Sequence, residues 1–194
     1  MVSLRQRNRI NAMRHTQRVA LPMFINQGFD SVTVSDIATE VEVAASTIYR
    51  HFDTKEAIVL WDEHDAAIDE ALTHRLEKNH PALPAIRDVF VETLGARYHD
   101  DLEFQLQRIK YIYATEQLHA AAVEADFSNR AELIRALEHF LSKKHKSAAG
   151  IIAGSALLAL DVAMDEWQKH DAKKPLSSLI ATAFDQLEHL GELA

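Results

Sequence analysis

Apolar residues recur every three or four positions along most of the chain, and this spacing predicts helices from end to end. Residues 4–27 carry Ile10, Met13, Val19, Ala20, Met23 and Phe24 at amphipathic spacing, and Gly28 closes the segment. Pro22 lies inside it, so a kink or break is expected near residues 18–21, where proline removes a helical N–H and crowds the preceding turn. Residues 35–41 predict a short second helix with Val34, Ile37, Ala38 and Val41 on one face and Thr33 or Ser35 as its cap. A third runs over 45–51, with Ile48 and Phe52 inward and Ser46, Thr47, Tyr49, Arg50 and His51 around the outside. Residues 53–78 read as one long fourth helix, capped by Asp53 or Thr54, with Ile58, Trp61, Ile68, Leu72 and Leu76 inward. After a break at His80-Pro81-Ala82-Leu83-Pro84, further helices are expected over 85–98, 101–114, 115–141, 147–170 and 176–190. No strand-like alternation of useful length occurs, and five glycines are few for a turn-rich β fold. The expected fold class is all-α, with about nine helices.

Two short helices joined by a tight turn, the second with a polar outer face, form a helix-turn-helix layout whose second helix fits the DNA major groove. The residues that carry it also resemble a known family. Thr33-Val34-Ser35-Asp36-Ile37-Ala38, Val43, the run Ser46-Thr47-Ile48-Tyr49-Arg50-His51-Phe52 and Lys55-Glu56-Ala57 look like the DNA-binding signature of the tetracycline-repressor (TetR) family. Ala20, Phe24 and Gly28-Phe29 stand where that family carries its first-helix core and closing glycine. The resemblance covers roughly residues 8–60. It departs at Glu42, where the family usually has a turn glycine, and at Ala44, where it usually has a capping serine.

The resemblance implies a helix-turn-helix domain over 1–54 and a helical effector-binding and dimerisation domain over 55–194. It assigns base or phosphate contacts to Ala45, Ser46, Thr47, Tyr49 and His51, and phosphate contacts to Thr33 and Lys55. Arg50 adds a guanidinium suited to guanine or phosphate. Partners are then operator DNA, a second copy of the chain through helices about 147–170 and 176–190, and a small-molecule effector in the body. The dense apolar stripe of those two helices, with Ala149, Gly150, Ala153 and Gly154 permitting close approach, agrees with a homodimer.

Charge supports this division. The net charge is −8, yet residues 1–60 hold seven Lys/Arg against six Asp/Glu, while 61–194 hold fourteen against twenty-three. Residues 1–18 carry five arginines and no acid, and the extreme N-terminus, with Arg5, Arg7 and Arg9, reads either as a mobile arm reaching DNA or as a solvated helix start. Salt screens charges beyond about 10 Å, so phosphate attraction is a local matter. With no cysteine the chain has no disulfide framework and no thiolate metal site, and a reducing, cytoplasmic setting is expected. The most apolar run, 148–160, is short for a membrane span and Asp161 ends it.

In the body, Trp61, Phe90, Phe104, Tyr113, Glu116 and Trp167 are candidates for lining an effector cavity, against the plainer reading that aromatics at helical spacing are core. The eleven histidines are scattered without a His-x-x-x-His pair, and no nucleophile elbow or phosphate-cradling glycine loop is present. No metal, cofactor or catalytic residue is expected. The reading is a ligand-responsive, homodimeric repressor released from its operator by a small hydrophobic effector. The alternative is a helical binding protein or enzyme with a vestigial head, favoured by Glu42, Ala44 and Pro22.

Overall fold

A computed structural model describes residues 3–190, excluding the side chain of Arg97. The described residues are helical with no strand: α1 (Leu4–Gln27), α2 (Val34–Glu40), α3 (Ala45–Tyr49), α4 (Lys55–Leu60), α5 (Asp65–Glu77), α6 (Ala82–Phe90), α7 (Ala96–Asp100), α8 (Leu102–Ala114), α9 (Glu116–Phe140), α10 (Ala149–Lys169) and α11 (Leu176–Glu188). A π-helical turn, Val91–Gly95, runs α6 into α7. The chain divides into two compact units. One holds the residues up to Glu63 together with Tyr111–Ala122; the other holds His64–Lys110 and the residues from Val123 onward.

In the first unit, Ser3 caps α1 by accepting the Gln6 N–H, so Arg5, Arg7 and Arg9 stand on an ordered helical turn rather than an arm. The helix runs through Pro22 without a break. Gly28 then turns the chain at φ +90°, where a side chain would be strained, and its N–H donates to the Phe24 carbonyl at 2.8 Å. Phe24, Ala20, Leu21, Ile37, Ile48 and Ile58 are all but inaccessible and form the core under the three short helices. Tyr111 closes it from α8, its hydroxyl donating to the Phe24 carbonyl at 3.0 Å.

The fourth helix predicted over 53–78 is two helices. α4 stops at Leu60, Trp61 takes an extended conformation (φ −54°, ψ 128°), and α5 starts at Asp65. The interruption leaves the last α4 carbonyls without helical partners, and a buried side chain supplies them. The Gln17 amide donates to the carbonyls of Ile58 at 2.9 Å and Trp61 at 2.7 Å, with Val59 at 3.3 Å. A hydrophobicity pattern does not register such a break, because Ile58, Trp61 and Ile68 keep helical spacing across it. It also explains why the first unit runs to Glu63: Ile58 and Val59 are core residues of the head, beyond the boundary expected at residue 54.

In the second unit, Ile86, Val89 and Phe90 of α6 pack with Ala153, Ala156 and Trp167 of α10 and Ile180 and Phe184 of α11 as a buried apolar layer. Phe90 and Phe184 meet edge to face, centroids 6.3 Å apart. Gly95 is required here: a Cβ on it would lie 2.5 Å from Ser177 Cβ and 2.8 Å from Ser177 Cα, closer than atoms can approach. Residues 146–169 are long and apolar enough to cross a membrane by length and composition, more than the 148–160 run suggested. One face of this helix is nevertheless packed core, from Ala149 to Trp167.

Candidate nucleic-acid interface

α2 and α3 are built from local chemistry. Thr33 and Asp36 form a reciprocal capping box. The Thr33 hydroxyl accepts the Asp36 N–H at 3.1 Å, while the Thr33 N–H donates to Asp36 Oδ2 at 2.8 Å and its hydroxyl at 2.6 Å. The Thr33 hydrogen bonds, first from the side chain and then from the backbone, hold the Asp36 carboxyl below its usual range. α2 ends in a Schellman motif: Val43 N–H donates to Ala38 O at 2.9 Å and Glu42 N–H to Thr39 O at 3.2 Å. That motif demands a left-handed residue, and Glu42 fills it at φ +55°. Ala44 then occupies the N-cap of α3 with no side-chain oxygen to offer.

Ile48 and Phe52 seal the underside of α3 in the core. The outer side is polar. Ser46 and Arg50 are exposed, Ala45 and Thr47 half-buried, and Tyr49 is 54% exposed with nothing packed over it. These five of the expected contact residues therefore share one accessible surface. His51 sits at its edge, half-buried, with Nδ1 buried and unbonded. Burial, then the nearby Arg50 and Arg9 guanidinium groups, hold its imidazole below the ordinary histidine range. Arg9 thus belongs to the same positive surface, although it stands on α1, far from α3 in sequence.

Thr33 and Lys55 are placed differently. The Thr33 donors already serve Asp36, whose carboxylate faces the same spot. Lys55 Nζ donates to the carbonyls of Phe29 at 2.7 Å and Val32 at 3.2 Å, and lies 4.2 Å from the Phe29 ring centroid. Two of its three donors tie down the α1–α2 loop.

The six expected effector residues do not surround one cavity. Trp61, Tyr113 and Glu116 belong to the first unit. There Trp61 packs edge to face on Phe52 and Tyr113 lies against His119, while Glu116 is exposed in the first turn of α9. Phe90 is core of the second unit, and Phe104 is half-buried on α8. Trp167, its ring tilted 52° against that of Tyr98, does line a cavity of about 210 Å³ with Tyr98, Leu102, Pro175 and Leu176. Helical spacing identifies buried aromatics but not which of them border empty space. Beside the cavity, Tyr98 Oη accepts from the buried Arg108 guanidinium at 2.7 Å, and Arg108 also donates to Gln105 at 3.0 Å. A wider groove of about 760 Å³ along α5 is lined by Ala67, Ala71, Thr73 and His74 together with the acids Asp69, Glu70 and Glu77. No metal-ligand cluster occurs among the described residues.

An all-α chain with a helix-turn-helix at its head defines a class, and comparison with known proteins names the family. Residues 18–60 match the model described as bacterial regulatory proteins, tetR family. It is 38% identical over 104 residues to the HTH-type transcriptional regulator TcmR of Streptomyces glaucescens, a match covering 52% of this chain and 45% of that relative. The chain thus spans less than half the length of the curated relative it matches. A solved structure, the TetR family transcriptional regulator PfmR from Thermus thermophilus, aligns over 89% of this chain and 96% of that one, at 18% identity and a TM-score of 0.41.

Proposed function

We propose that the protein is a DNA-binding transcriptional regulator, a homodimeric repressor in the cytoplasm that a small hydrophobic effector releases from its operator. The observation that carries this reading is the outward surface of Ser46, Thr47, Tyr49 and Arg50 on a helix anchored from beneath by Ile48 and Phe52. Side chains held this way can enter a major groove without the helix giving way. Arg50 supplies a donor fork for guanine or phosphate, Tyr49, Ser46 and Thr47 supply hydroxyls, and Ala45 leaves room for close approach. His51 and Arg9 add positive potential at the rim. Thr33 and Lys55 act through the backbone they hold in place. Two such heads in a symmetric dimer would read two half-sites about one helical turn apart.

The effector is assigned to the Tyr98–Trp167 cavity. At about 210 Å³ it is smaller than most ligand pockets, roughly 300–1,000 Å³, so a compact apolar ligand or a widened bound state is required. An effector shifts operator binding only by preferring the state that does not bind DNA. The chain passes between head and body at residues 63–64, 110–111 and 122–123, and a change in the body would reach the head through these crossings.

The reading is tested by titrating duplex DNA from the region upstream of its own gene at 50 mM and 200 mM salt. A specific complex that weakens steeply with salt supports it. Equal, weak affinity for that DNA and for random duplex overturns it.

A further inference from the structure

The Tyr98–Trp167 cavity changes character from floor to rim. Trp167, Tyr98 and Leu176 are buried and give it an apolar floor, with the two ring centroids 5.7 Å apart. His99 and Lys173, both exposed, complete the lining. None of the lining residues is an acid. The side chains of His99 and Lys173 make no hydrogen bond or ion pair among the described residues. Asp171, the acid of the loop that carries Lys173, is already engaged. Lys110 Nζ donates to it, and Lys110 first, then Lys173 and His170, hold its carboxyl below the usual range.

The loop that brings Lys173 to the rim has an unusual backbone. Asp171 and Ala172 take successive left-handed conformations, both at φ +53°. That region is unfavourable for any residue with a Cβ. The Ala172 N–H donates to the Trp167 carbonyl at 2.9 Å and the Lys173 N–H to the His170 carbonyl at 3.1 Å, which fastens the loop to the end of α10. Strain of this kind persists only where the surrounding fold over-determines it, and ligand clamps are one place where it gathers. Here it sets Ala172 in the cavity wall and Lys173 beside it.

We propose that this cavity takes a single-ring carboxylic acid as its anion, with the ring against Trp167 and Tyr98 and the carboxylate at Lys173 and His99. The proposal rests on the effector reading above and adds a charged end to the compact apolar ligand assigned there. Size sets the ring count. An apolar cavity of roughly 150 Å³ accommodates benzene, so about 210 Å³ holds one ring with a small substituent. Charge sets the substituent. A carboxylate at the exposed rim keeps contact with water, so it avoids the cost of burying a charge while meeting the Lys173 ammonium and a His99 ring N–H. The Lys173 stem can lie along the apolar wall with its ammonium outward.

Isothermal titration calorimetry of the full chain with benzoate, benzamide and benzylamine tests this, since the three probes share a ring and nearly one size but differ in charge. Benzoate should bind most tightly, benzamide roughly three- to tenfold more weakly, and benzylamine more weakly still. Lys173→Glu, at an exposed position, should weaken benzoate about tenfold, leave benzamide unchanged and bring benzylamine level with benzoate or above it. Leu102→Trp, which fills the cavity, should weaken all three. Equal affinity for the three probes, an order unmoved by Lys173→Glu, benzoate binding untouched by Leu102→Trp, or no binding of any probe would each overturn the proposal. Operator affinity with and without saturating benzoate separates it from the reading it rests on. Benzoate held through Lys173 with operator affinity unchanged upholds the ligand class and refutes the effector role. Release of DNA by benzamide as readily as by benzoate upholds the effector role and refutes the class.

Discussion

The side-chain amide of Gln17 donates to the backbone carbonyl of Trp61 at 2.7 Å, tying the middle of α1 to the point where α4 ends. Nearby, Arg14 Nε donates to the Glu63 carboxylate at 2.9 Å. These contacts fasten the end of α4 and Glu63 to α1 within the head unit. Gln17→Leu, of similar size, removes the donor to the carbonyls of Ile58 and Trp61. Each buried acceptor left unsatisfied costs about 1–3 kcal/mol. The variant should therefore unfold at a lower urea midpoint with an unchanged slope, whereas Arg14→Ala, at a half-buried surface pair, should lose about 1 kcal/mol or less.

The turn between α2 and α3 is strained by composition. Glu42 holds a left-handed conformation that costs a residue with a Cβ about 1–2 kcal/mol. Glu42→Gly should raise stability by about 0.5–1 kcal/mol, the gain being reduced by glycine's greater freedom when unfolded. Ala44→Ser should add about 0.5–2 kcal/mol by capping α3. Chemical denaturation of each single variant and of the pair checks both; a loss of stability from either would contradict the geometry described.

The Lys55 ammonium donates to two loop carbonyls, which argues for a structural role. Lys55→Met removes the donors to Phe29 and Val32 and should cost about 1–3 kcal/mol in thermal or urea unfolding. Its ammonium is engaged internally, so the slope of log affinity for DNA against log salt should stay the same. A slope smaller by about one would instead make Lys55 a phosphate contact.

His51 is held below the usual histidine range by burial first and by Arg50 and Arg9 second. The folded state therefore favours the neutral ring. Its contribution is fully present above the unfolded value of about 6.5 and is lost as pH falls from there through the folded value. Wild-type protein should lose more stability between about pH 7.5 and 5.5 than His51→Gln. A phosphate beside the ring would raise the same group, so DNA binding should take up a proton, and wild-type affinity should rise over this interval relative to His51→Gln.

The helical periods of the chain make most of this fold legible. The spacing of Ile37, Ala38, Ile48 and Phe52 locates the two short helices within a residue or two, and Gly28 and Pro175 mark true boundaries. Periodicity fails where a break is satisfied from a distance. Trp61 continues the apolar pattern of α4, and only Gln17, forty-four residues away, shows that the helix ends there. Pro22 misleads in the opposite sense, since α1 continues through it. For the site, the residues of α3 lie on one short element, so their common surface follows from local sequence. The role of Lys55 does not, because it depends on two loop carbonyls more than twenty residues away. Nor does the cavity, since Tyr98, Leu102 and Trp167 meet only through tertiary packing.

The central claim is that the outward face of α3 reads duplex DNA, and Arg50→Ala tests it most directly. Arg50 is exposed at the end of α3, so its removal leaves the core intact. Fluorescence anisotropy against upstream duplex DNA should show affinity reduced roughly 10–100-fold, the cost of one specific contact, with sedimentation unchanged. Wild-type affinity retained by Arg50→Ala, and retained again when Tyr49→Ala is added, would contradict the account.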